Sequence, residues 1–253
     1  MEQPMVSVVI PAYNCAAYIV QALDSAFAQE VPLEVLVIDD GSRDGLLEVL
    51  KPYLGRPDFR YFSNPVNLGA AGSRNRGVQK ASGTYVAFLD ADDWWEKGKL
   101  AAQLAAIMRT GDVLCTTGRE LVREDGASTG RVIPVKEVIT YRELLKHNSI
   151  NCSSVLLRRD VALEFPMERD DIHEDYLTWL RVLQKYGRAV GINRPYLKYR
   201  LRREGKSGNK LHSAAMTYRV YRCMGYGRIK STLFFASYAV HGLQKYGGWK
   251  GTS

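Results

Sequence analysis

The chain has 253 residues, 46% apolar and 25% charged, with a formal net charge of +8. This is an ordinary globular composition, long enough for one large α/β domain, and no uncharged apolar stretch reaches membrane-spanning length. Four scattered cysteines, with no CxxC pair and no histidine cluster beside them, argue against a disulfide scaffold and a structural zinc site. With no signal sequence ahead of the first apolar run, a reducing cytoplasm is the expected setting.

In chain order, residues 6–10 form an apolar run stopped by Pro11, the pattern of a buried strand. Residues 15–29 then carry Tyr18, Ile19, Ala22, Leu23, Ala26 and Phe27 at helical spacing. A second strand over 33–38 ends in Asp39-Asp40-Gly41-Ser42, and a helix over 46–54 follows. A short third strand over 60–62 leads through Asn64-Pro65 to a helix over 69–81 with a glycine-rich start. The strand over 85–89 ends in Asp90-Ala91-Asp92-Asp93. Such alternation predicts a largely parallel sheet with crossover helices.

Further along, the pattern predicts a helix over 97–109, strands over 112–117 and 153–158, and a helix running from near Glu174 to Tyr186. Basic amphipathic helices over 211–246 are interrupted near Gly225 and Gly227. Residues 205–253 hold eight Lys and Arg and no Asp or Glu, which accounts for the whole charge excess. The chain therefore divides into an α/β domain over 1–204 and a basic helical segment over 205–253. A basic segment of this kind marks an anionic partner.

Chemistry is expected at the strand ends, where open α/β sheets place their ligands. Asp90 and Asp92, two apart, can converge on a hard cation such as Mg²⁺ or Mn²⁺, although an acidic turn alone is the commoner meaning. Pro11-Ala12-Tyr13-Asn14 after the first strand has no glycine, which argues against a GxGxxG dinucleotide turn. Tyr13 can lie against a base, and Asn14 can cap the next helix. Asp39 can accept from a base N–H or a ribose hydroxyl, or act as a cap. Arg74 and Arg76, set among glycines at a helix start, suit a base, a ribose or a diphosphate; a solvated helix end is the plain alternative for Arg76. Glu174 and Asp175 open a helix, where acids complement the dipole or serve as a base toward a hydroxyl.

Taken in order, these pieces resemble the family 2 glycosyltransferases of GT-A fold. The matching residues are Pro11-Ala12-Tyr13-Asn14, Val37-Ile38-Asp39-Asp40-Gly41-Ser42, Gly72-Ser73-Arg74-Asn75-Arg76-Gly77, Phe88-Leu89-Asp90-Ala91-Asp92-Asp93 and Glu174-Asp175. The resemblance implies an α/β GT-A fold, its mostly parallel central sheet flanked by helices, with a C-terminal helical appendage. It implies inverting transfer from a nucleotide-diphosphate sugar, favoured as a UDP-sugar, to a hydroxyl of a glycan or lipid-linked acceptor in surface polysaccharide synthesis. Tyr13 and Asp39 would hold the uracil and ribose side of the donor with Arg74 nearby, Asp90 would touch the ribose or support the metal shell, and Pro11, Asn14 and Ala91 would complete the nucleotide-sugar-binding set. Asp92 would ligate Mn²⁺ or Mg²⁺, and Asp93 would only cap the turn. Asp175 would be the general base, ionised at neutral pH because a helix start lowers a carboxyl pKa, with Glu174 steering the acceptor or the geometry. Many relatives carry Tyr-Arg-Xaa-His after the last strand. Here the run is Tyr199-Arg200-Leu201-Arg202, and Arg202 cannot ligate a metal but can clamp a diphosphate.

The basic segment is expected to lie on an anionic membrane surface at the cytoplasmic face, or to cap the domain's own apolar surface. A nucleic-acid-binding reading, with Tyr218, Tyr221 and Tyr226 as stacking platforms, leaves Asp90, Asp92 and Asp175 without a purpose, so no nucleic-acid partner is expected. A nucleotidyltransferase would want a glycine-rich, lysine-containing loop after the first strand, and residues 11–18 supply none.

Overall fold

The computed structural model describes residues 5–168, 171–202 and 210–246. Its first half alternates strictly: β1 (Val6–Ala12), α1 (Ile19–Phe27), β2 (Leu33–Asp39), α2 (Leu46–Leu50), β3 (Phe59–Ser63), α3 (Gly69–Lys80) and β4 (Tyr85–Phe88). The strands pair in parallel in the order β3-β2-β1-β4. β1 and β2 are apolar at nearly every position because helices cover both faces of the sheet. Alternate residues serve opposite layers, as the pleat requires. Val9, Leu36, Ile38, Val86 and Phe88 share one core, while Val8, Ile10, Val35, Val37 and Ala87 share the other.

The second half is β5 (Trp94–Trp95), α4 (Lys99–Thr110), β6 (Leu114–Val122), β7 (Ser128–Ile133), β8 (Val138–Thr140), α5 (Tyr141–Leu144), β9 (Leu156–Arg158), α6 (Arg159–Glu164), α7 (Glu174–Tyr186), β10 (Arg188–Arg200), α8 (Lys210–Cys223) and α9 (Arg228–Tyr246). The sheet continues β4-β9-β6-β10-β5, with β7 beside β6 and β8 beside β10. β9 runs antiparallel to both β4 and β6, whereas β10 is parallel to β6. The sheet is thus parallel in its first half and mixed beyond β4. The ladder between β6 and β10 shifts register between Ile192 and Leu197. The shift passes Gly118, where an added Cβ would stand 3.1 Å from the Arg194 carbonyl oxygen.

α8 and α9 cover the domain rather than extend from it. Val220 and Tyr221 of α8 belong to the core, and Phe234, Phe235 and Tyr238 of α9 pack against it. The expected boundary between residues 204 and 205 lies outside the described residues. Among the described residues no helix is long and apolar enough to cross a membrane.

α3 crosses β1 at Gly77, where an added Cβ would collide with the Val9 methyl groups. Gly77→Ala is therefore expected to cost about 1–3 kcal/mol of stability through overpacking, read as a lower urea midpoint at an unchanged m value.

Candidate active site

A cleft of about 580 Å³ opens at the C-terminal ends of β1 and β4 and is closed on its far side by the start of α7. Pro11, Tyr13, Arg74, Asp90, Ala91, Asp92, Glu174, Asp175 and Arg202 all line it. Tyr13 stands 55% exposed at the rim, with its ring free to stack on a flat ligand.

Asn14 and Asp39 do not line the cleft. Asn14, at φ 47°, donates its backbone N–H to Ser42 Oγ (3.0 Å) and accepts the Arg43 N–H on Oδ1 (2.8 Å). It ties the turn after β1 to the turn after β2, and α1 has no side-chain cap. Asp39 accepts from the Ser42 N–H (2.9 Å) and the Tyr61 hydroxyl (2.7 Å), so both of its oxygens already have donors. Its neighbour Asp40 faces the cleft instead. Asp40 accepts the N–H groups of Leu68 and Gly69, both at 2.8 Å, and the Asn64 amide at 2.7 Å. It thereby satisfies donors at the start of α3.

The acidic turn is held from three sides. Asp90 receives Arg74 Nη2 at 2.6 Å on its carboxylate and donates its N–H to Ser153 Oγ at 3.1 Å. Asp93 does more than cap the turn: it is buried and accepts the Arg200 backbone N–H at 2.9 Å, joining the turn to the end of β10. Burial and the charges of Asp92 and Asp90 push the Asp93 carboxyl well above the usual carboxylate range. Asp92 is raised too, by desolvation and then by Asp90, against the opposing charge of Arg202. Arg202 Nη1 stands 3.5 Å from Asp92 Oδ2, and its guanidinium lies 5.0 Å from the Tyr18 ring centroid.

This donor set suits a hard divalent cation. Crowded carboxylates at a desolvated edge are relieved by added positive charge, and the ligand atoms on offer are oxygens. Among the described residues no group of three metal-ligating side chains converges. Asp92 would therefore share a cation with the oxygens of a bound phosphate ligand, the usual arrangement for Mg²⁺.

Arg200 is the residue that sequence reasoning passed over. Its Nε donates to the Asp92 carbonyl (2.8 Å), Nη2 to Gln21 Oε1 (2.6 Å) and Nη1 to the Glu124 carbonyl. The guanidinium lies between the rings of Trp94 (4.9 Å) and Tyr18 (5.1 Å). The only signal was its place in Tyr199-Arg200-Leu201-Arg202, where attention falls on the last position.

Across the cleft, Glu174 Oε1 accepts from Arg74 Nη1 at 3.0 Å. Asp175, half-buried beside it, accepts the Tyr176 N–H at 2.7 Å. Its carboxyl pKa is not lowered by the helix start, as expected from sequence, but pushed up to about 7. Desolvation is the larger cause and the Glu174 charge the next, and Arg74 opposes them only in part.

The sequence model of Glycosyl transferase family 2 matches residues 7–165. Over 249 residues the chain is 35% identical to a Bacillus subtilis protein named putative teichuronic acid biosynthesis glycosyltransferase TuaG, covering 96% of this chain and 98% of the relative. It is 31% identical over 245 residues to the Escherichia coli UDP-Glc:alpha-D-GlcNAc-diphosphoundecaprenol beta-1,3-glucosyltransferase WfaP, covering 96% of this chain and 95% of the relative. Among solved structures, S. aureus TarS 1–349 in complex with UDP-GlcNAc superposes with a TM-score of 0.73 at 22% identity, over 95% of this chain and 72% of that one. The chain belongs to glycosyltransferase family 2. It is a glycosyltransferase, and its fold is GT-A.

Arg200→Met would leave the acceptors on Asp92, Glu124 and Gln21 without their shared donor. The expected cost is about 2–4 kcal/mol by urea denaturation. Arg200→Lys should recover less than half of it, since one ammonium cannot span the three directions of a guanidinium.

Proposed function

We propose that the protein transfers a sugar from a UDP-linked donor, with inversion, to a hydroxyl of a lipid-diphosphate-linked acceptor during synthesis of a surface polysaccharide. One observation carries this reading: a single cleft sets Tyr13 and the Asp90–Asp92 turn on one side and Asp175 on the other. The names of the TuaG and WfaP relatives support the substrate classes.

Tyr13 stacks on the uracil, and Pro11 and Ala91 shape the neighbouring wall. Asp92 would hold Mn²⁺ or Mg²⁺, which when bound supplies Lewis-acid stabilisation to the departing diphosphate. Arg202 brings a guanidinium to the same edge, where it can donate to phosphate oxygens. Asp175 takes the proton of the acceptor hydroxyl as that oxygen bonds to the anomeric carbon. The bond from that carbon to the diphosphate breaks, and its electron pair leaves with UDP. Attack from the face opposite the leaving group inverts the anomeric configuration.

The work is proposed to take place at an anionic membrane face on the cytoplasmic side. On α9, Ile229 (79% exposed), Leu233 (65%) and Val240 (53%) present an outward apolar stripe, with Arg228 and Lys230 at its start. Helices of this kind lie in the headgroup region of anionic bilayers.

UDP with Mn²⁺ is expected to raise the melting temperature, and Asp92→Ala to remove that shift; an unchanged shift would count against Asp92 as the metal ligand. Asp175→Asn should keep the shift and lose turnover of UDP-glucose with an N-acetylglucosaminyl-diphospholipid. Because Asp175 acts only when ionised and its pKa is raised to about 7, turnover should climb with pH up to that value, about tenfold per unit on the acid side. An acid limb near pH 4 would remove Asp175 from the role.

Sedimentation with vesicles tests the membrane reading. The protein should pellet with phosphatidylglycerol-containing vesicles and not with pure phosphatidylcholine, and Leu233→Glu should weaken pelleting. Equal pelleting by the variant would leave α9 without that function.

A further inference from the structure

The two arginines of the Arg74-Asn75-Arg76 run were read as suited to a base, a ribose or a diphosphate, with a solvated helix end as the alternative for Arg76. In the structure all three side chains have protein partners. Arg74 sends Nη2 to Asp90 Oδ1 (2.6 Å) and Nη1 to Glu174 Oε1 (3.0 Å). Its Nε is sealed from the surface without a partner, and the residue is 6% exposed at the cleft wall, so most of its guanidinium is turned to these protein partners. Asn75 makes a two-way amide pair with the backbone of Met167: Nδ2 donates to its carbonyl (2.7 Å) and Oδ1 accepts its N–H (2.8 Å). Arg76 donates to the Ser63 carbonyl at 2.7 Å and to Asn64 Oδ1, tying α3 to the end of β3.

Consecutive residues of α3 therefore grip the segment that delivers Asp175 at two points, Met167 before α7 and Glu174 at its first position. We infer that Arg74 and Asn75 are positioning residues for the base, forming a strut from α3 that fixes the direction in which Asp175 enters the cleft. This rests on the reading of Asp175 as base given above.

The mechanics follow from helix geometry. Glu174 and Asp175 are successive residues of one helical turn, so pinning the first sets the rotation of the helix and with it the heading of the second. The guanidinium fork is rigid, and its two arms fix the span between the acidic turn and α7. A base must be held to within a fraction of an ångström, because small misplacements cost about 10²-fold in rate.

Charge acts in the same direction. The groups facing Asp175 are Glu174 on its own helix, Arg74 on α3, Asp90 on the acidic turn and Cys152 before β9. The adjacent His173 is turned to Ser213 of α8, 3.1 Å away. Removing the Arg74 charge from this set favours the protonated form of Asp175.

The test separates donor binding from turnover. Calorimetry with UDP and Mn²⁺ is run on Arg74→Lys, Asn75→Ala and Arg74→Met, beside turnover with the donor and acceptor used above. For Arg74→Lys and Asn75→Ala, UDP affinity should stay within about twofold of wild type while kcat falls about 10–100-fold at unchanged donor KM. Arg74→Met should in addition move the acid limb to higher pH. If Arg74→Met does not fold, the other two variants decide.

UDP affinity falling in step with kcat/KM would make Arg74 a donor contact and overturn the strut. Unchanged kcat in both Arg74→Lys and Asn75→Ala would overturn it as well. Turnover retained by Asp175→Asn would strike the assignment of the base itself, and the strut would fall with it.

Discussion

Two acidic walls face each other across the cleft, and what keeps them together is one buried guanidinium. Arg74 pairs with Asp90 on the wall built from the end of β4 and with Glu174 on the wall built from α7. The pair with Glu174 is buried on both sides, and removing one partner from a buried pair typically costs about 3–5 kcal/mol, whereas Asp90 keeps an edge in solvent. Such a triad need not add net stability compared with an apolar filling. What it adds is a fixed span between the two walls, and every other property of the cleft is set inside that span.

The same crowding explains the unusual acidity of the site. Asp92 is raised by burial and Asp90, Asp93 by burial and the charges of Asp92 and Asp90, and Asp175 by burial and Glu174. A fold selected only for stability would not gather so many carboxylates at a desolvated strand edge. In the proposed mechanism the repulsion is useful: it prepares Asp175 to take a proton near neutral pH and leaves the edge with an appetite for positive charge. Arg202 and Arg200 moderate that appetite from the end of β10, one through the Asp92 carboxylate and one through the Asp92 carbonyl.

Much of the fold was legible in the sequence because β1, β2 and β4 are buried on both faces and therefore read as unbroken apolar runs. β5, β7 and β8 were not, since short strands at the margin of a sheet carry little period; β7 includes Ser128, Thr129 and Gly130. The acids of the cleft were legible from their order along the chain, but their partners were not. Asp39 and Asp40 could not be told apart because neighbours at a strand end face opposite ways, and the deciding partner, Tyr61, lies on another strand. The ion pair of Arg74 with Glu174 could not be read because Glu174 is 100 positions away. The acidity of Asp175 was misjudged because the helix dipole can be read from sequence, whereas burial cannot.

The wide sequence separation of these contacts has a consequence for how the molecule comes into being. Arg200 reaches back 179 positions to Gln21, and Arg74 reaches forward to Glu174. Contacts of such high order close late, after the loops between them have lost their freedom. A chain emerging from the ribosome can form β1 to β4 and display its acidic turn well before α7 and β10 exist. Throughout that interval it has half a cleft and no second wall. Competence arrives with the last strand, so an unfinished chain has no complete site with which to act on the donor.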